Sequence, residues 1–126
     1  MPRCSYALAA LLAVAPLVAP AQVQRVFPRQ ALRGEIEFGV PPAITLNGKS
    51  ATLAPGARIR GLNNMIVLSG ELVGQKVKVN YTVDTLGFIF GVWILRDEEI
   101  KQLWPKTAAD AAAWSYDEQA GVWTKP

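Results

Sequence analysis

Residues 32–38 alternate. Leu32, Gly34, Ile36 and Phe38 fall on one side of an extended chain, and Arg33, Glu35 and Glu37 on the other. That two-residue period predicts a strand with one face on a core and one in water. Gly34 within the apolar set predicts a bulge or a close backbone approach, and Gly39 to Pro42 ends the ladder. The next alternation runs from Ile44 to Leu53 around Asn47-Gly48, a pair that accepts positive φ at both central positions of a type I′ hairpin turn. In that register Ile44 faces Ala51 and Thr45 faces Ser50, so like meets like across the pair.

Pro55-Gly56 predicts a turn that closes this arm. Ala57 to Arg60 reads as a short strand, Gly61 to Asn64 as a turn, and Met65 to Leu68 as a short buried strand. The longest alternation sets Val77, Val79, Tyr81 and Val83 against Lys76, Lys78, Asn80 and Thr82. Asp84 to Gly87 has the residues of a type I turn. Phe88 to Leu95 is apolar on both faces, which predicts a strand covered on both sides.

The pattern then changes period. Asp97 to Trp104 predicts a short helix with its acids in the first turn, where the helix dipole favours them. Ile100, Leu103 and Trp104 share one face, and Pro105 stops it. Thr107 to Asp110 has the form of a capping box with Asp in place of Glu, opening a second short helix that ends near Trp114. Trp114 to Tyr116 and Val122 to Thr124 flank Asp117 to Gly121 and predict a final hairpin or a hook carrying Tyr116 and Trp123. The sum is a mainly β, single-domain barrel of about six short strands, OB-like or SH3-like, over residues 31–95. Short helices and an aromatic tail over 96–126 pack on it.

Residues 1–21 follow a different logic. Arg3 supplies a positive start, Tyr6 to Val18 is an almost unbroken apolar run, and Ala19-Pro20-Ala21 has the small-x-small form of a signal-peptidase site, with cleavage after Ala21. The run is shorter than the about 20 residues a permanent span needs. Cys4 precedes the apolar run, so it is a leader residue and not a lipid attachment point. Residues 22–30 are polar, contain Pro28, and read as a flexible lead-in. The expected product is periplasmic or secreted, without stable membrane insertion.

Composition narrows the chemistry. The 126 residues contain no histidine and one cysteine, Cys4. Loss of the leader therefore leaves no Ser-His-Asp or Cys-His nucleophile, no His or Cys zinc site and no haem held by those residues. Asp97, Glu98 and Glu99 are adjacent and do not face one another on a helix. Glu35 and Glu37 share a strand face but fall short of the six to eight oxygens that calcium takes. The expectation is no catalytic residue, no metal and no cofactor. The formal charge of +3 comes from 13 basic and 10 acidic residues interspersed along the chain, which makes nucleic acid an improbable partner.

Two surfaces qualify as ligand-binding candidates. Arg58 and Arg60 lie on one strand face beside the polar turn of Asn63 and Asn64, a group suited to a carboxylate or phosphate. The plainer reading is a strand edge guarded by charge against aggregation. Trp93 and Trp123, with Trp104, Trp114 and Tyr116, would form a stacking platform if exposed. The plainer reading is that these rings cement the tail to the barrel.

The segments Leu32-Arg33-Gly34, Leu46-Asn47-Gly48, Pro55 to Arg60, Gly74-Gln75-Lys76-Val77 and Val92 to Leu95 carry a resemblance. Over residues 32–95 the chain resembles small exported proteins of Gram-negative bacteria whose function is unknown. More distantly it is similar to bacterial domain families with an OB-like barrel. The shared residues are turn and core residues, so the resemblance implies a fold and transfers no active site. The function expected on these grounds is a non-catalytic periplasmic module that binds a protein or an envelope component. The alternatives are oligosaccharide or nucleic-acid binding through an OB-like face, and a small hydrolase with two carboxylates about 5–9.5 Å apart.

Overall fold

The computed structural model describes residues 24–126. The leader, Cys4 and the cleavage site after Ala21 lie outside the described residues. Five strands, β1 (Leu32–Phe38), β2 (Ala43–Leu46), β3 (Lys49–Arg60), β4 (Lys76–Val83) and β5 (Ile89–Ile94), close into a barrel. The order is β1-β2-β3-β5-β4, with β4 returning to β1. Every contact is antiparallel except β3 with β5. A single 3-10 turn, Ser69–Leu72, bridges β3 and β4 and drops Leu72 onto the core.

The alternations hold for most positions, but Arg33 and Asn80 on the polar side are buried and Val83 on the apolar side is 47% exposed. Ile36, Phe38, Ile44, Val79, Tyr81, Ile89 and Val92 fill the barrel, while Lys76 and Lys78 stand outside and flank Glu35 at 3.8 and 3.6 Å. Asn47 and Gly48 both take positive φ, 53° and 83°, and the register pairs Ile44 with Ala51 and Thr45 with Ser50. Gly34 marks a close approach: a Cβ there would stand 2.9 Å from Tyr81 Cε1.

Other expectations change. Pro55-Gly56 does not end an arm. β3 continues through it as one 12-residue strand, with an irregularity between Leu53 and Arg58 where Gly56 takes φ 78°. The strand thereby leaves β2 and joins β5, which lets a sheet curl into a barrel. Met65 to Leu68 is not a buried strand. It makes one bridge, Ile66 to Arg60, and leaves Met65, Ile66 and Leu68 at 65%, 53% and 68% exposure. Its hydrophobicity reflects a surface ribbon in which Val67 alone packs inward.

The tail forms α1 (Asp97–Ile100), α2 (Ala108–Ala113) and a hairpin of β6 (Ser115–Asp117) and β7 (Val122–Thr124). The strands thus number seven among the described residues. α1 is shorter than the apolar spacing suggested, because the chain leaves the helix at Lys101 to carry Trp104 to the barrel. There the Trp104 indole N–H donates to Ala31 O at 2.7 Å. α2 starts as expected, with Thr107 Oγ1 accepting from the Asp110 N–H at 3.0 Å.

These parts enclose a second, aromatic core outside the barrel. Phe27, Ala31, Leu95, Trp104 and Trp123 are buried in it, with Trp93, Trp114 and Tyr116 packed around them. Most of the ring contacts are edge to face, as between Phe27 and Trp104 at 5.6 Å and Trp104 and Trp123 at 5.9 Å. That is the arrangement aromatic quadrupoles prefer. The stretch read as a polar lead-in is thus anchored by Phe27 and Arg25.

Candidate binding surface

The described part of the lead-in and the tail divide the barrel wall into a covered sector and an open one. Under the cover, Arg33 and Asn80 are paired across β1 and β4 and buried. Arg33 donates to Asn80 Oδ1 at 2.8 Å and to the carbonyls of Glu99, Ile100 and Gln102 at 3.2, 3.1 and 3.3 Å. Its guanidinium therefore gathers carbonyls at the end of α1 and just beyond it. Burial lowers the basicity of Arg33, and the charge of Glu99 partly restores it. Arg25 adds a second clamp, donating to Gly61 O, Ile94 O and both carboxylate oxygens of Glu99. Both clamps hold structure together and are buried under the tail.

The open sector begins where β3 and β5 run parallel. The register sets Arg58 beside Gly91 and Arg60 beside Trp93, while β4 sets Thr82 on the other side of Gly91. All of these positions face outward. Gly91 explains the shape. A Cβ there would lie 3.2 Å from two carbons of the Trp93 six-membered ring and 2.8 Å from Thr82 Oγ1. The Trp93 indole thus lies over the glycine, half-buried, with its other contacts in the aromatic core. Phe90, the additional residue at the irregularity in the β4–β5 pairing, is 43% exposed beside it.

Two shallow depressions meet on this indole. One is lined by Gln30, Arg58, Thr82 and Phe90, the other by Val26, Phe27 and Asn64, and both include Pro28, Arg60 and Trp93. No carboxylate lines either. Arg60 donates to Asn64 O at 3.1 Å, and Arg58 makes no hydrogen bond, ion pair or ring contact among the described residues. Other arginines are occupied: Arg25 and Arg96 by Glu99, and Arg29 by Glu118 at 3.8 Å.

The structure thus brings together four of the six candidate residues: Arg58, Arg60, Asn64 and Trp93. Asn63 stays in its turn, its Oδ1 accepting from the Met65 N–H at 3.0 Å. Trp123 is 3% exposed in the aromatic core, away from any surface platform. Sequence reasoning missed Phe90, whose outward direction depends on the strand irregularity, and Gly91, whose role depends on the Trp93 rotamer. Among the described residues no group of three acids could hold a metal ion. Asp97 and Glu98 line a separate depression with Arg96 and Leu62, as successive residues of α1. No helix among the described residues is long and apolar enough to cross a membrane.

Comparison with protein families, with curated proteins and with solved structures found no match to this chain.

Proposed function

We propose that the protein is an exported, non-catalytic binding module with an OB-like barrel, which captures an anionic protein or envelope component on the β3–β5 flank. The observation that carries this reading is the pairing of Arg58 and Arg60 beside the Trp93 indole on a surface without a carboxylate. Guanidinium groups present planar, bidentate donors to carboxylates and phosphates, and remain charged at any physiological pH.

The OB-like assignment rests on five strands in the order β1-β2-β3-β5-β4, a parallel β3–β5 contact and a helical turn between β3 and β4. The leader reading supports export to the periplasm, where an anionic envelope surface is within reach. A binding role also fits the missing imidazole and the single leader thiol.

The test is binding of the mature protein, residues 22–126, to isolated envelope fractions at increasing salt. Binding should weaken steeply with salt and fall at least tenfold in the Arg58→Ala/Arg60→Ala double variant. Salt-insensitive binding, or an unaffected double variant, would remove the flank from the account. Intact-mass analysis of the native product tests export, since retention of Met1 would contradict it.

A further inference from the structure

Resting on the anion-binding reading above, we infer that the ligand class of the flank is an anionic glycan, one acidic or phosphorylated sugar ring stacking on Trp93 while Arg58 and Arg60 hold its charged groups. Three features of the site lead there.

The first is the platform. Gly91 makes room for the Trp93 ring over the strand, the ring lines both depressions, and Phe27 packs against it in a T-shaped contact at 6.1 Å and 78°. An indole that lines an open depression suits the C–H face of a pyranose, which offers apolar contact without needing an apolar pocket. The second is the charge. Arg58 and Arg60 project from alternate residues of one strand, roughly 6.5–7 Å apart at the backbone. Neither stacks on an aromatic ring among the described residues; Arg60 commits one donor to Asn64 O, which leaves the other donors of both guanidinium groups for an anion beside the platform. The third is the polar rim. Gln30, Thr82 and Asn64 surround the indole and offer both donors and acceptors, as ring hydroxyls require.

The same features count against the other anionic polymers. A nucleic acid would be expected to track a basic groove with several stacking rings. Here the basic side chains at the site are two arginines with Arg25 at its edge, and Trp93 is the one tryptophan that lines either depression. An acidic peptide would use the arginines but gain little from a flat ring without side-chain pockets.

The experiment titrates residues 22–126 with four probes: a short oligogalacturonate, the corresponding neutral galactose oligomer, oligoglutamate and oligothymidylate. Tryptophan fluorescence and calorimetry report binding. Oligogalacturonate is expected to bind tightest, with the neutral oligomer at least tenfold weaker. Trp93→Ala and Arg58→Ala are each expected to weaken it about tenfold. Trp93→Phe should recover part of the loss, and thermal unfolding of each variant shows that the barrel is intact. Gly91→Ala, which displaces the ring, should weaken oligogalacturonate binding and leave oligoglutamate unaffected.

Each other outcome has a distinct meaning. If oligoglutamate or oligothymidylate binds as tightly, or if Trp93→Ala has no effect, the glycan assignment fails and anion binding stands. Equal binding of the neutral oligomer would overturn the role of the arginines. If no anionic probe binds, both the glycan assignment and the anion-binding reading fall.

Discussion

Arg25 and Glu99 lie 74 positions apart in the chain and meet in a buried ion pair, with Arg25 Nε 2.9 Å from Glu99 Oε2 and a second, shorter contact from Nη2 to Oε1. Their side chains are 3% and 7% exposed. The pair ties the N-terminal segment to the start of the tail across the rim of the barrel. Removing Arg25 takes two side-chain hydrogen bonds from the buried Glu99 and leaves it the Arg96 N–H and the Arg96 guanidinium at 3.8 Å, a loss at the lower end of the about 3–5 kcal/mol that breaking a buried pair costs. Arg25→Met should therefore lower the denaturant midpoint strongly. The double variant Arg25→Met/Glu99→Leu should recover much of that loss, because it leaves neither charge behind. A double variant no more stable than the single one would show that the pair contributes through its geometry and not through mutual neutralisation.

The same carboxylate makes stability depend on pH. Burial pushes the Glu99 carboxyl upward, but the hydrogen bonds from the Arg25 side chain and the Arg96 backbone, with the charges of both guanidinium groups, outweigh it. The net result holds Glu99 below its ordinary 4.5. The folded protein thus binds this proton less readily than the unfolded chain. Glu99 stabilises the fold fully above the unfolded value, and that stabilisation is lost as the pH falls through the lower, folded one. The unfolding midpoint should hold between about pH 7 and pH 5 and decline below that. Glu99→Gln should show a shallower decline over the same acid range, and an identical slope in the two proteins would refute the assignment.

Trp104 and Trp123 offer a matched comparison within one core. Both are buried, at 5% and 3% exposure. The Trp104 indole N–H bonds to Ala31 O, whereas Trp123 Nε1 has no partner among the described residues. Replacement by Phe removes similar volume from each site. Trp104→Phe also strands a buried carbonyl, which costs about 1 kcal/mol beyond the packing loss. Trp104→Phe should therefore be the more destabilised of the two in equilibrium unfolding. The reverse order would mean that cavity collapse near Ala31 dominates the hydrogen bond.

Much of the barrel was legible because its signals are local. The alternation of β1 and β4, the Asn47-Gly48 turn and the Thr107 cap each depend on residues within a few positions of one another. The Phe88 to Leu95 run announced a strand covered on both sides; that holds toward Leu95, whereas Phe90, which an irregular register turns outward, borders the open flank with Gly91 and Trp93. The candidate site was half legible. Arg58 and Arg60 alternate visibly, whereas the platform depends on which way the Trp93 ring folds, and that is set by Gly91 two residues before it. The clamps built on Arg25 and Arg33 gave no local signal. Their partners at Asn80 and Glu99 become neighbours only once the barrel has closed and the tail has docked. Met65 to Leu68 misled for the opposite reason: its composition suits a strand, but a single bridge to β3 is all the pairing it finds.

Gly34 and Gly70 separate packing from composition. At Gly34 an added methyl would meet Tyr81 Cε1 at 2.9 Å and Leu46 Cδ1 and Asn47 Oδ1 at 3.2 Å. Tyr81 is held in the core and Asn47 Oδ1 is accepting the Glu35 N–H at 2.9 Å, so neither yields freely. Overpacking of this kind costs about 1–3 kcal/mol, and it would also pull the turn side chain off the β1 backbone. At Gly70 nothing lies within 4 Å of the added methyl, in the exposed 3-10 turn, so Gly70→Ala should change stability by less than about 0.5 kcal/mol. Thermal unfolding of the two variants side by side checks the close packing of β1 on β4. A Gly34→Ala protein as stable as Gly70→Ala would mean that Tyr81 moves aside without loss, and that the strands are not held as closely as the structure places them.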